Sequence, residues 1–280
     1  MKPFTYHTHS TFCDGRDTLP EMARAAYEAG VDSLGLACHS FVSHDPIGCI
    51  APERQGKFEY ETRKLQNIYA PMGMDIFLGI EQDSMSMPLT TPNVYDYIIG
   101  SMHYLNVDGV PVTIDSKKSF FFNLEKYFCN DALAFSLEYY RCMKDIYELT
   151  GCHIVGHFDI VTKFNEGGCL FDEKNSRYEK SAEETIEVLA RKGLIFEINT
   201  GSMARGYRSE PYPSRRLLSM IREVGGKVTY ASDCHDAPMI TYGFDHAQRL
   251  ALECGFDHLM KLRRTQDVCE FYPAEIEVSK

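Results

Sequence analysis

The sequence predicts an α/β fold, a barrel of about seven parallel strands alternating with helices. Three observations carry this expectation. Short apolar runs, too brief for helices, recur along the chain. Segments with helical period and recognisable ends lie between several of them, and a length of 280 residues favours a barrel over an open sheet. With 44% hydrophobic and 12% aromatic residues the chain can bury a large core, and it reads as one domain over residues 1–280.

The apolar runs are Phe4 to Tyr6, Ser33 to Cys38, Asp75 to Ile80, Tyr95 to Gly100, His153 to Gly156, Leu194 to Ile198 and Val228 to Ala231. They are rich in Ile, Val, Leu, Phe and Tyr, as buried strands are. Thr18 followed by Glu21 is a capping box that opens a helix, and Gly30 closes it. Ser181 followed by Glu184 predicts another, closed by Gly193. A third starts near Ser214, turns Leu217, Leu218 and Ile221 inward and stops at Gly225-Gly226. Two more fall around residues 131–150 and 245–254, each ending at a glycine. Residues 104–130 and 165–180 fit the repeat poorly and read as loop insertions.

Composition narrows the function. A balance of 29 basic against 40 acidic residues, net −11, argues against nucleic acid as a general partner. No stretch approaches the ~18 apolar residues of a membrane span, and Met1 to His7 lacks the basic-then-apolar pattern of a leader, so the expected location is the cytoplasm. Ten cysteines are scattered without a C-x-x-C pair, which predicts reduced, mostly buried thiols rather than a disulfide scaffold. No heptad pattern or interface stripe points to an oligomeric state.

The chemistry lies just beyond the apolar runs, in His7-Thr8-His9, His39, Glu81, His103, His157 and Asp233-Cys234-His235. In a parallel barrel those ends share one face, where catalytic loops converge. His7 and His9 lie on the same side of an extended strand because the side-chain period is two, so both imidazoles can bind one ion. Asp14, on the following loop, reaches the same mouth. A single histidine at a strand end is more often structural than a ligand, but packing gives no reason for six of ten to gather there. His44, His153, His246 and His258 fall outside the pattern, His246 and His258 on or near a late helix. Met85, Met87 and Phe120 to Phe122 read as loop or core packing. Cys13, Cys38 and Cys234 adjoin the proposed ligands, but the abundance of oxygen and nitrogen donors disfavours thiolate ligation.

His7-Thr8-His9-Ser10 with Asp14-Gly15, Gly79-Ile80-Glu81, Gly100-Ser101-Met102-His103, Gly156-His157-Phe158-Asp159 and Ser232-Asp233-Cys234-His235 resemble the successive motifs of the polymerase and histidinol phosphatase (PHP) superfamily. Glu197-Ile198-Asn199-Thr200-Gly201 and Glu210-Pro211-Tyr212-Pro213-Ser214 resemble its monofunctional histidinol-phosphatase branch. The resemblance implies a distorted seven-stranded TIM-like (β/α) barrel holding two or three divalent ions. It implies His7, His9, Glu81 and Asp233 at a first ion, Glu81, His103 and His157 at a second, and Asp14, His39 and His235 at a third. The chain departs from the family pattern at Ala37-Cys38, where Ser or Thr followed by Asp or Glu is usual.

What the resemblance implies for activity is hydrolysis of L-histidinol phosphate to L-histidinol and phosphate, in histidine biosynthesis. The residues alone support hydrolysis of a small phosphate ester, and phosphotyrosine or nucleotides stay open as substrates. Two ions ~3.5–4 Å apart can activate a shared water and clamp phosphoryl oxygens. Asp233 or His235 is then expected to pass a proton to the leaving oxygen, with Glu81 bridging two ions and Arg205 meeting the phosphate dianion. Zinc, manganese and iron all suit these ligands. A non-catalytic metal-binding module is disfavoured because such sites close their ligation around one ion. An acyl-transfer hydrolase is disfavoured by the lack of a G-x-S-x-G elbow.

Overall fold

The computed structural model describes residues 2–89, 92–265 and 268–277. Its strands are β1 (Phe4–Thr5), β2 (Ser33–Leu36), β3 (Asp75–Asp83), β4 (Tyr97–Ser101), β5 (Tyr104–Val107), β6 (Val110–Thr113), β7 (Ile154–Val155), β8 (Ile195–Asn199), β9 (Lys227–Ala231), β10 (His258–Thr265) and β11 (Val268–Glu275). Seven of them form one sheet in the order β1-β2-β3-β4-β7-β8-β9, and every neighbouring pair is parallel. The sheet curls until its ends meet: a bridge pairs Thr8 with Cys234, and the His9 N–H donates to the Cys234 carbonyl at 2.9 Å. The distorted seven-stranded barrel expected from the sequence is the observed fold, and all seven expected strands are present.

The strands are buried on both faces because helices cover the outside and side chains fill the inside. Tyr97 dominates that interior. Its hydroxyl donates to the Tyr6 carbonyl across the barrel. Gly35 and Gly79 make room for it, since a Cβ on either would lie 2.0 or 2.2 Å from Tyr97 atoms.

The helices are α1 (Leu19–Glu28), α2 (Pro52–Tyr69), α3 (Lys117–Phe128), α4 (Ala132–Met143), α5 (Ile146–Thr150), α6 (Ser176–Arg191), α7 (Gly201–Ala204), α8 (Arg215–Glu223) and α9 (Phe244–Glu253). Among the described residues none is long and apolar enough to cross a membrane. The capping box of α1 is formed as expected, with Glu21 N–H on Thr18 Oγ1 and Thr18 N–H on Glu21 Oε2.

Other expectations are corrected. α6 begins at Ser176, five residues ahead of Ser181, because the Asn175 side chain caps it by accepting from Arg177 N–H. Residues 131–150 form two helices, broken at Lys144-Asp145. The supposed loop at 104–130 is a hairpin, β5–β6, followed by α3. His246 lies on α9 and His258 just after it, at the start of β10, as expected of residues on or near a late helix. The antiparallel β10–β11 hairpin seals the barrel at the N-terminal ends of its strands. There Leu262 N–H donates to Tyr6 Oη at 2.7 Å, and Lys261 pairs with Asp32 at 2.6 Å. The ten cysteines are free thiols, but only Cys38, Cys152 and Cys234 are buried.

Candidate metal centre

Each barrel strand that the sequence singled out delivers its donor to the C-terminal rim. His7 and His9 follow β1, His39 follows β2, Glu81 lies within β3, His103 follows β4, His157 follows β7, and Asp233 and His235 follow β9. Glu81 is the hub. Its Oε2 lies 3.2 Å from His7 Nε2, 3.7 Å from His9 Nε2 and 2.6 Å from His39 Nδ1. Its Oε1 lies 3.0 Å from His157 Nε2 and 3.5 Å from His103 Nε2. One buried carboxylate therefore faces five imidazoles, one oxygen to each of two groups.

Three groups of donors converge closely enough to hold a cation: His7 with His9 and Asp233; His9 with Asp14, His39 and His235; and His39 with Glu81 and His103. The first holds three of the four residues expected at one ion, without Glu81, and the second holds the three expected at another together with His9. The last differs from expectation in that His39 joins it. His39 turns Nδ1 to Glu81 and Nε2 to Asp14, 3.5 Å away, so it stands between two groups. His157 remains beside that group, its Nε2 3.2 Å from His103 Nε2. No cysteine joins any group among the described residues.

The residues fit divalent cations. Among the described residues, buried His7 Nε2 and His9 Nε2 have no hydrogen-bond partner, a costly arrangement for polar atoms that face Glu81 Oε2 at 3.2 and 3.7 Å. Tetrahedral zinc with bonds near 2.0 Å spaces its ligands about 3.3 Å apart. The His7–Glu81 and His9–Asp233 contacts are both 3.2 Å. Asp233 reaches this position with a φ of 46°, a left-handed conformation that costs a non-glycine residue energy and is concentrated at functional sites.

Electrostatics keep the carboxylates ionised. Burial opposes charge on Glu81 and Asp233, but His39, His7 and His103 around the first, and Arg205 and His7 around the second, hold both well below the usual range. Burial opposes protonation of His7 as well, and Glu197, Glu81 and Asp233 outweigh it.

Two supporting carboxylates were given no role at the centre by the sequence reading. Glu197 on β8 stands 3.0 Å from His7 Nδ1 and accepts the His157 N–H at 2.8 Å. Asp83 holds His103 in the same manner. Such partners fix the tautomer and orientation of metal-binding imidazoles. The signal was present in Glu197, a lone acid within the apolar run Ile195–Ile198, and in Asp83, on the same strand face as Glu81 by the period of two.

Arg205, at the end of α7, lies at the rim as expected. Its Nη2 is 3.0 Å from Asp233 Oδ2 and its Nη1 3.1 Å from His235 Nδ1. Lys163, which no pattern in the sequence singles out, joins it in the same hollow, over the Tyr207 ring at 4.6 Å and paired with Asp115. The floor of the centre, His7 and His9, is fully buried, whereas Asp14 is 40% exposed, so ligands enter past Asp14, His39 and His235. The four remaining histidines stay outside; His153, for example, accepts the Ile98 N–H at 3.1 Å.

Fold and site together define a parallel β/α barrel with a polynuclear metal-type centre at the C-terminal rim. The chain matches the PHP domain over residues 5–201 and belongs to that family. It is 23% identical to a Schizosaccharomyces pombe protein named "Probable histidinol-phosphatase", over 95% of this chain and 91% of that one. A Deinococcus radiodurans protein of the same name is 26% identical over 86% of this chain and 89% of its own. Among solved structures, the histidinol phosphate phosphatase of Lactococcus lactis subsp. lactis, complexed with zinc, L-histidinol and phosphate, superimposes with a TM-score of 0.65 at 20% identity, covering 93% of this chain and 96% of that one. A candidate histidinol phosphatase of Listeria monocytogenes gives 0.77 at 19% identity, over 87% and 99%.

Proposed function

We propose that this protein is a metal-dependent phosphomonoesterase acting on L-histidinol phosphate. The observation that carries the hydrolytic reading is Glu81, whose two oxygens face separate donor groups beside a hollow with Arg205 and Lys163. The near full-length relatives named as histidinol phosphatases support the substrate.

His7, His9, Glu81 and Asp233 would hold a first cation, Glu81, His103 and His157 a second, and Asp14, His39 and His235 a third. Bound cations supply a water activated at neutral pH and charge to neutralise the phosphoryl oxygens. The chain's own groups do the rest. Arg205 and Lys163 bind and orient the phosphate dianion. Arg205 also holds Asp233 in place through Oδ2 and the main-chain carbonyl, both at 3.0 Å. Asp233, kept ionised, has Oδ1 among the donors and Oδ2 toward the phosphate side. Oδ2 is engaged by Arg205 Nη2 at 3.0 Å and by Asn199 Nδ2 at 3.3 Å, so Asp233 positions the guanidinium against the phosphate, and the leaving oxygen takes its proton from water. His235, whose Nε2 lies 3.2 Å from Asp14 Oδ2, would hold a cation with it, and its Nδ1 lies 3.1 Å from Arg205 Nη1.

The test is phosphate release by metal-loaded protein from L-histidinol phosphate, phosphotyrosine, a mononucleotide and p-nitrophenyl phosphate, repeated with Glu81→Ala. Preference for histidinol phosphate and an inactive variant are expected. A protein that carries metal but cleaves no ester would sink the hydrolytic reading.

A further inference from the structure

The mouth of the centre opens into two hollows that share Asp14, His39, Glu81, His103 and Asp115. Beyond the shared residues they differ in charge. One adds Lys163 and Arg205. The other, about 190 Å³ in volume, adds Asp45, Tyr104 and Val42, and its wall contains no lysine or arginine.

The outer wall of this second hollow is held in place by specific contacts. The Tyr104 hydroxyl donates to Asp45 Oδ2 at 2.7 Å and so ties the loop after β2 to the β5–β6 hairpin. The Tyr104 ring packs edge-on against His44, with centroids 4.6 Å apart. The hairpin is anchored by the fully buried Leu105 and Val112 and by Ile114 N–H, which donates to the His103 carbonyl at 2.8 Å. Asp45 itself has no cationic partner among the described residues, and Tyr104 occupies only one of its two oxygens.

We propose that this hollow receives the alcohol half of the ester, and that Asp45, oriented by Tyr104, accepts a hydrogen bond from a protonated amine on that alcohol. A phosphate drawn to Lys163 and Arg205 leaves the rest of a small ester pointing into the remaining hollow. There the open carboxylate oxygen of Asp45, on a wall that offers it no lysine or arginine among the described residues, favours an ammonium group, and the apolar part of the wall suits the carbon skeleton. The substrate class is a small amino-alcohol phosphate. This deepens the phosphomonoesterase reading and rests on it.

The test compares kcat/KM of metal-loaded wild type, Asp45→Asn and Tyr104→Phe on L-histidinol phosphate and on its analogue lacking the amine. Wild type should prefer the amine-bearing ester roughly tenfold to a hundredfold, the range of one hydrogen bond to a charged group. Asp45→Asn should remove most of that preference, and Tyr104→Phe part of it. Equal use of both esters by wild type, or a preference intact in Asp45→Asn, overturns the subsite. Hydrolysis of p-nitrophenyl phosphate reports separately on the hydrolytic reading. If no ester is cleaved, calorimetric binding of L-histidinol decides: a roughly tenfold weaker Kd in Asp45→Asn supports the subsite, and equal or absent binding overturns it.

Discussion

Asp83 grips His103 at two points, its Oδ2 accepting the backbone N–H at 2.8 Å and lying 3.0 Å from Nδ1. Its Oδ1 accepts the Met85 N–H at 2.7 Å, which fixes the carboxylate itself. The His103 ring is thereby aimed with Nε2 toward Glu81. Outer partners of this kind are worth ~10–100-fold in metal affinity or activity. Asp83→Ala should lose that much in kcat/KM, with weaker metal retention against a competing chelator. An unchanged variant would show that the ring is oriented by packing alone.

Removing cations should lower stability as well as activity. Among the described residues, buried donors such as His7 Nε2 and His9 Nε2 have no other hydrogen-bond partner. A cation at ~1,000 times its Kd adds about 4 kcal/mol to folding, and for a chain of this size ~1 kcal/mol moves Tm by roughly 2–4 °C. Chelation should therefore lower Tm by about 8 °C or more in differential scanning calorimetry, reversed by adding metal. A Tm indifferent to chelation would argue against a centre that binds cations tightly.

Asp96 ties the sealed end of the barrel together. It accepts from Arg63 Nη1 at 2.8 Å, Leu78 N–H at 2.8 Å and Arg264 Nη2 at 3.0 Å. Burial works against its ionisation, but the Leu78 N–H and the two arginines prevail and lower its pKa. A depressed folded pKa means that the stabilisation is fully present above the ordinary carboxylate value near 4 and is lost as the pH falls through the lower folded value. Asp96→Asn should cost roughly 1.5–3 kcal/mol at pH 7. Urea titrations with chelator present should show wild type and variant drawing together toward pH 2. A difference that stays constant with pH would assign the cost to shape rather than charge.

Gly35 and Gly56 should respond to alanine in opposite directions. At Gly35 the added methyl would collide with Tyr97 Oη inside the barrel, whereas at Gly56, within α2, nothing lies within 4 Å of it. Gly35→Ala should destabilise by about 1–3 kcal/mol or more through overpacking, and Gly56→Ala should stabilise by roughly 0.5–1 kcal/mol through helix propensity. Equal effects in denaturant unfolding would refute this account of the barrel interior.

The parts of this molecule that local pattern determines were readable in advance. His7 and His9 share a face because strands alternate, and the ends of parallel strands gather on one rim whatever the loops do. The helix at 52–69 was not readable: only Phe58, Thr62 and Leu65 are buried along it, and no side chain caps its start. The β10–β11 hairpin was no easier to read: Leu259, Lys261 and Leu262 are buried in β10, a pattern that does not alternate, and its arginines and lysine disguise a buried role. Lys163 and Asp45 owe their significance to neighbours far away in sequence, Asp115 for one and Tyr104 for the other. His39 was readable as a donor at a strand end, yet its position between two donor groups depends on which ring nitrogen faces Glu81, a matter of tertiary geometry alone.

The closing bridge between Thr8 and Cys234 runs through the centre of two motifs, between His7 and His9 on one side and between Asp233 and His235 on the other. Shutting the barrel is consequently what joins His7 and His9 to Asp233 and His235, whereas the group of His39, Glu81 and His103 lies on or just after β2 to β4 and does not cross the seam. That seam joins segments near opposite ends of the polypeptide, the kind of distant contact that forms slowly. A cation held by His7, His9 and Asp233 would fasten it. The supply of metal thus governs how many copies of the chain are complete, as well as how fast each one works.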